Sequence, residues 1–297
     1  MKWETKRNFI VGGGFLLLMV GLVAYQGIRT KDCDDSHHSV LVLVDYTDPI
    51  GEDARSAIKD RIWTIIEAAP NFSTVILRPI LGVDVTGAML EKETVQLCRP
   101  ERPDFTSPWK GAVKIKEAWS KFKSEVCGAS SVDDPTGGLR CGDDSRKGSF
   151  FDKSRPQSQS SPILEQVVDN ARRFLTVPDV PRSWDLVIVT DWKEYTPQLD
   201  LHTKACAGSA KEMIERIPIF IGPNQSDKPF TALTSESAPT GRGSTITSLF
   251  VLREGMSDDE ADCLEQNFAK YFLATNASNI PPHSIVLDRL PRTVAGK

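Results

Sequence analysis

Two aspartates end two aliphatic runs of the sequence, and together they could bind a cation. Asp45 ends the run SVLVLVD, and Asp191 ends the run WDLVIVTD. Thr47 lies two residues after Asp45, and Ser158 opens the run SQSS before a segment with helical periodicity. Carboxylate and hydroxyl oxygens suit Mg²⁺, and also Mn²⁺ or Ca²⁺, but they do not suit zinc or copper. The sequence therefore predicts an oxygen-only metal site formed by Asp45, Thr47, Ser158 and Asp191, with Mg²⁺ as its cofactor.

The two runs have the pattern of strands that are buried on both faces, as in a parallel sheet. They belong to a longer series of predicted elements: strand 39–45, helix 51–69, strand 74–81, helix 162–175, strand 184–191, helix 205–216, strand 217–221, strand 246–252, helix 260–274 and strand 284–287. Such alternation predicts an α/β fold with a doubly wound, mostly parallel sheet. Ligands of these sheets gather at the carboxyl ends of the strands, so we expect Asp45 and Asp191 at one rim.

Two features of the layout depart from regular alternation. Pro79 predicts that strand 74–81 lies near an edge of the sheet, because proline cannot donate to a ladder. Residues 98–157 indicate an irregular insertion, rich in proline, glycine, serine and charge. Within it, residues 112–126 could form an amphipathic helix. Its predicted apolar face consists of Val113, Ala118, Trp119 and Phe122.

This arrangement resembles a von Willebrand factor A-like domain. In that family a metal-ion-dependent adhesion site takes ligands from D-x-S-x-S after the first strand. Asp45 matches the Asp of that motif, Thr47 stands for its first Ser, and Pro49 takes the place of its second Ser without a hydroxyl. The resemblance covers roughly residues 39–275, interrupted by the insertion, and it implies a site that has lost one ligand.

The family's other two ligands are a Thr in a loop before a central helix and an Asp after the fourth strand. Ser158 matches the loop Thr, with Ser160 as an alternate, and Asp191 matches the last Asp. The resemblance implies a protein-interaction module in which the metal takes a carboxylate from the partner as its missing ligand. The segments LVDYTDP and QNFAKYF also resemble a group of bacterial membrane-anchored proteins with domains of this kind.

The first 38 residues predict a membrane anchor. After a charged flank at 1–8, residues 9–28 form an uncharged apolar run, long enough for a helix that spans the hydrocarbon core. A cleaved signal peptide is the alternative, but the run is long and its end is a poor cleavage site. Residues 29–38, which include His37 and His38, indicate a solvated juxtamembrane linker. The soluble domain would then occupy 39–297.

The charge and the cysteine content of the sequence bear on the membrane orientation, the compartment and the partners of the protein. More positive charge before the apolar run favours a cytoplasmic N-terminus and a periplasmic domain. The net charge of −4 offers no basic excess for nucleic acid. Six cysteines are compatible with either disulfides or free thiols, and Cys127–Cys141 is the most plausible local pair. The glycines at 12–14 suggest a homo-oligomer formed through the membrane helix.

Three functions are compatible with these residues. The first is the membrane-anchored interaction module, as a component of a membrane-associated complex. The second is a metal-dependent phosphate-ester hydrolase at the same rim, although no nucleophile or general base can be named. The third is a structural subunit without a metal, in which Asp45 and Asp191 only accept hydrogen bonds from loops.

Overall fold

The structure, a computed structural model, describes residues 33, 37–82, 85–103, 110–128, 141, 150–153, 155, 158, 160–175, 183–196, 244–253, 255–274 and 285–290. The predicted anchor at 9–28 and the predicted elements at 205–216 and 217–221 lie outside these residues. Within the described ranges, no helix combines the length and the apolar character that crossing a membrane requires.

The described strands form one sheet with the order β3-β2-β1-β4-β5-β6. They are β1 (His38–Asp45), β2 (Thr74–Ile80), β3 (Val95–Cys98), β4 (Ser183–Thr190), β5 (Thr245–Phe250) and β6 (Ile285–Arg289). Only the β2–β3 pair is antiparallel; every other neighbouring pair in this sheet is parallel. The predicted α/β class with a mostly parallel sheet is therefore confirmed.

Helices cover both faces of this sheet. They are α1 (Glu52–Ala68), α2 (Gly87–Glu93), α3 (Lys110–Cys127), α4 (Ile163–Leu175) and α5 (Asp258–Ala274). Alternate residues of β1 point to opposite faces, as strand geometry requires. Leu41 and Leu43 therefore join the core formed with α4 and α5, whereas Val42 joins the core formed with α1 and α3. A strand with apolar partners on both sides reads as a continuous aliphatic run, which is why β1 was predictable.

β2 lies between β1 and the short edge strand β3, one strand from the edge of the described sheet, so the position near an edge predicted from Pro79 is confirmed. β3 pairs with β2 only from Thr74 to Leu77. Pro79 lies beyond that stretch and is in register only with Val44 of β1. The missing N–H of Pro79 therefore removes no hydrogen bond from the β2–β3 ladder, and the proline is accommodated.

The insertion contains a regular helix that contributes to the core. On α3, Trp119 and Phe122 are buried, and their ring centroids lie 5.6 and 5.9 Å from that of Trp63 on α1. Val113, predicted on the same face, is 50% exposed, and Ala118 is exposed as well. The buried stripe follows the spacing of 119, 122 and 126, and neither 113 nor 118 falls on it.

His38 is the first residue of β1 and is buried, so its assignment to a solvated linker is wrong. Its Nδ1 lies 2.7 Å from Ser183 Oγ, and its Nε2 lies 3.2 Å from Asp185 Oδ2. Both partners belong to β4, which pairs with β1. The ring is buried because polar groups of a strand distant in sequence satisfy both of its nitrogens.

Two disulfides join described cysteines. Cys127–Cys141 confirms the predicted local pair, and Cys33–Cys98 links the residues before β1 to the last residue of β3. Cys141 is also held against α1, since its backbone N–H donates to Asp60 Oδ1 at 2.7 Å. Among the described cysteines, Cys263 is a free thiol.

Replacing both Cys127 and Cys141 by Ser should lower the free energy of unfolding by about 3 kcal/mol, because a disulfide restricts the unfolded chain. Urea denaturation of the full chain in mild detergent measures this. The control is Cys263→Ser, which removes a free thiol and should cost less than about 1 kcal/mol. Equal losses in the two proteins would contradict a stabilising crosslink at 127–141.

Candidate functional site at the carboxyl rim

The two predicted aspartates lie at neighbouring strand ends in the centre of the sheet. Asp45 is the last residue of β1, and Asp191 directly follows β4. The chain leaves β1 towards β2 and β3, and it leaves β4 towards β5 and β6. The boundary between β1 and β4 is therefore the point at which the strand order reverses, where open α/β sheets bind ligands.

Hydroxyl and amide groups surround the Asp45 carboxylate, which is 1% exposed. Its Oδ1 accepts hydrogen bonds from Thr47 N at 3.0 Å and from Thr47 Oγ1 at 2.6 Å. Its Oδ2 accepts from Thr190 Oγ1 at 2.9 Å. Because β4 is in register with β1, Thr190 lies beside Asp45. Asp45 is thus fixed in orientation by its own turn and by the neighbouring strand.

The pKa of Asp45 is raised from 3.8 to about 6. Burial is the largest cause, because it penalises the charged form, and the Asp191 carboxylate adds repulsion. The Arg253 guanidinium and the two hydrogen bonds from Thr47 act in the opposite direction. For the pKa of Asp45, burial and the Asp191 carboxylate together outweigh these favourable contacts.

Asp191 has two partners of a different kind. Its Oδ1 accepts from Lys193 N at 2.9 Å, and its Oδ2 forms an ion pair with Arg253 Nε at 2.9 Å. Trp192, between Asp191 and Lys193, has a φ of 57°, which is unfavourable for a bulky residue. Stacking of its ring on Phe268, with centroids 3.9 Å apart, offsets that strain. The turn allows the chain to fold back onto Asp191.

Arg253 connects the two halves of the rim. It follows β5, the strand next to β4, and besides Asp191 it donates through Nη1 to the backbone oxygen of Pro49. The guanidinium therefore contacts the turn that follows β1 and one of the two aspartates.

The serine-rich loop closes the rim on the other side. Ser161 Oγ lies 3.0 Å from Thr47 Oγ1, whereas Ser158 donates its backbone N–H to Thr47 O at 3.5 Å. The Ser158 hydroxyl instead lies 3.2 Å from that of Ser160. The loop passes very close to Gly82, where an added Cβ would lie 1.7 Å from Ser158 Oγ. Only glycine permits this approach after β2.

Glu194 is a further buried acid near the rim. Its Oε2 accepts from Leu164 N at 2.9 Å, at the start of α4. Burial raises the pKa of Glu194 well above its ordinary value, although the hydrogen bond from Leu164 lowers it. The negative charge of Asp45 adds to the increase. Glu194 therefore connects two parts of the site: it is hydrogen-bonded to the first turn of α4, and its carboxyl group interacts electrostatically with Asp45.

Of the predicted metal ligands, Asp45, Thr47 and Asp191 meet at one rim. Ser158 reaches it through its backbone, and the hydroxyl beside Thr47 belongs to Ser161. Within the described ranges no group of three or more His, Cys, Asp or Glu side chains is arranged to hold a metal ion. The rim has only two carboxylates, and its other oxygen atoms belong to hydroxyls, so it does not meet that definition. Both oxygens of the Asp191 carboxylate already have partners, Lys193 N on Oδ1 and the Arg253 guanidinium on Oδ2.

Three contributors to the rim were not predicted from the sequence: Thr190, Glu194 and Arg253. Ser161 belongs to the predicted serine run, in which the resemblance assigns the ligand to Ser158 or Ser160. Thr190 and Glu194 flank Asp191 closely in sequence, so their proximity could have been inferred. Arg253 directly follows the predicted strand 246–252, and a cation at that end of a neighbouring strand is a usable signal.

Comparison with known proteins finds no family model that matches this sequence and no curated protein that matches it.

The raised pKa of Asp45 makes the stability depend on pH. The folded state binds this proton more tightly than the unfolded chain, so stability falls as the pH rises from about 4 to about 6. Replacing Asp45 by Asn should remove a loss of about 3 kcal/mol across this window. Urea denaturation at several pH values measures the difference between the two proteins. Identical dependence of stability on pH in the two proteins would contradict a raised pKa of Asp45.

The close approach at Gly82 gives a second prediction. Gly82→Ala should lower the free energy of unfolding by about 1–3 kcal/mol, because the Ser158 loop must move. Gly87→Ala is the matched control, since no atom lies within 4 Å of its added Cβ. That change in α2 should be neutral or stabilising by up to about 1 kcal/mol. Equal effects in the two variants would contradict a steric role of Gly82.

Proposed function

We propose that this chain is a single-pass membrane-anchored interaction module with a von Willebrand factor A-like domain. It binds a protein partner at the carboxyl rim of the sheet, as a component of a membrane-associated complex. The observation that carries the proposal is the position of Asp45 and Asp191 on either side of the switch point between β1 and β4.

An exposed aromatic side chain beside the rim supports a protein partner. Tyr195 is 42% exposed. Its backbone exchanges two hydrogen bonds with Ser161, at 2.9 and 3.1 Å. The aromatic side chain is therefore presented from a fixed backbone next to the Thr47 hydroxyl. Tyrosine is enriched among the residues that contribute most to binding at protein interfaces.

The proposed location is the membrane, with a cytoplasmic N-terminus and the domain in the periplasm. Disulfides persist mainly in oxidising compartments, and the described part of the chain has two. Cys33 follows the proposed helix at 9–28 by five residues, which span at most about 18 Å. The domain would therefore stay close to the bilayer. The glycines at 12–14 leave room for a homo-oligomer through that helix.

In this proposal, Mg²⁺ holds the partner at the rim. The ion would bridge the rim to a carboxylate of the partner, with Asp45, Thr47 and Asp191 as ligands and the Ser161 hydroxyl in the place predicted for Ser158. Asp191 is available for that role only after Arg253 releases it. Binding of the metal would also weaken below about pH 6, because Asp45 must be deprotonated.

The proposal predicts that partner capture depends on the rim. The full chain is purified from native membranes in mild detergent, and co-purifying proteins are quantified with and without EDTA. Asp45→Asn, Asp191→Asn and Tyr195→Ala should each lose the partner while remaining folded by circular dichroism. Val286→Ala is the control, because this 38% exposed residue lies on β6, near the amino end of the strand. It should retain the partner.

The same experiment separates the other functions. Loss of capture in EDTA indicates that a metal mediates binding, and unchanged capture in EDTA indicates direct binding by the rim. Capture that survives every rim variant but fails when residues 12–14 are replaced would favour a structural subunit and overturn the proposal. Mg²⁺-dependent hydrolysis of phosphate esters that is abolished by Asp45→Asn would favour the hydrolase instead.

A further inference from the structure

We infer that Arg253 is the resident cation of the rim, and that it excludes a divalent metal ion for as long as its guanidinium is bound to Asp191. The inference rests on the proposed function for the location of the site. It concerns how that site is regulated, since metal and guanidinium become alternative occupants. Its test measures metal binding alone and needs no partner.

The contacts of Arg253 coincide with positions that a metal site of this type would use. Its Nε binds Asp191 Oδ2 at 2.9 Å. Its Nη1 binds the carbonyl oxygen of Pro49, the residue that stands where a hydroxyl ligand is missing. One side chain therefore engages the acid that ends β4 and the chain segment that follows β1. A metal ion bound to that oxygen of Asp191 would lie close to the positive charge of the guanidinium, which opposes its binding.

The charge balance points to the same role. Asp45 and Asp191 are each 1% exposed, so bulk water solvates neither carboxylate. Arg253 is the cationic side chain that pairs with Asp191 among the described residues, and it also acts electrostatically on Asp45. The neighbouring Lys193 is engaged elsewhere, with its Nζ 2.9 Å from Glu260 Oε1. A divalent ion entering beside the bound guanidinium would face a like charge in a partly buried place.

The remaining groups would suit a hard cation once the guanidinium is removed. Two carboxylates and the hydroxyls of Thr47 and Ser161 stay in place, with those two hydroxyls 3.0 Å apart. Mg²⁺ and Mn²⁺ accept such oxygen ligands and complete their shells with water. The site is therefore a latent metal site whose cation is supplied by the chain itself.

The test is a titration of the full chain in detergent with Mn²⁺. Binding is measured as the loss of the free-ion signal in electron paramagnetic resonance. Arg253→Gln should bind one Mn²⁺ per chain more tightly than wild type by roughly 10- to 100-fold, the range in which groups around a metal change its affinity. Adding Asp191→Asn to that variant should abolish the gain. Mg²⁺ should compete for the same site and raise the melting temperature of Arg253→Gln only.

Arg289→Gln is the matched control, because Arg289 also bridges two acids, Asp262 and Glu265, but outside the rim. It should leave Mn²⁺ binding unchanged. If Arg253→Gln does not fold, Arg253→Met keeps the apolar stem and takes its place. Equal Mn²⁺ affinity in wild type and the folded Arg253 variants, whether tight or undetectable, would overturn the inference. Neither result bears on whether the rim variants lose the protein partner.

Discussion

The Asp45 carboxylate lies at the end of a central strand where water cannot solvate it, and its neighbours offset that cost. Removing a charge from water costs several kcal/mol unless partners replace the solvent. Thr47 contributes two donors from the turn after β1, and Thr190 contributes one from β4. Arg253 reaches in from the end of β5 with the opposing charge. Three strands must therefore be in register before this one carboxylate is stable, which links the site to the completion of the sheet.

The same requirement makes the rim rigid. Thr190 Oγ1 donates to Asp45 and accepts from Trp192 N, so the ends of β1 and β4 share one hydroxyl. The Trp192 ring also donates to Ser248 Oγ at 2.7 Å, which connects that turn to β5. A rim built from such connected hydrogen bonds would lose little freedom if the proposed partner docked there. Its affinity would then depend mainly on complementarity, because folding has already ordered these groups.

The sequence was sufficient for elements whose evidence is local. β1, β4 and α4 follow from aliphatic runs and from helical spacing, and the rim position of Asp45 and Asp191 follows from the parallel sheet. β3 was missed because its four residues alternate between half-buried and exposed and pair antiparallel with β2. His38 was misplaced because the groups that satisfy its ring come from Ser183 and Asp185, about 145 residues away.

The contacts of the site show the same limit. That Thr190 donates to Asp45 depends on the register of two strands, and that Arg253 reaches Asp191 depends on which strand lies next to β4. Neither can be read from spacing along the chain. The serine predicted to lie beside Thr47 was Ser158, but the serine that contacts Thr47 is Ser161, three residues later. The Ser158 side chain packs against Gly82 instead, and this contact fixes the course of the loop.

The Cys33–Cys98 disulfide determines where a mechanical load enters the domain. Tension applied through the N-terminal segment reaches Cys33 first and passes through the sulfur atoms to Cys98 on β3. The disulfide therefore adds a second path beside the peptide chain from Cys33 to His38, and β1 does not carry the load alone. The edge strand bears part of the force, through four residue pairs with β2. Reduction of the disulfide would redirect the same pull along the peptide chain into the central strand.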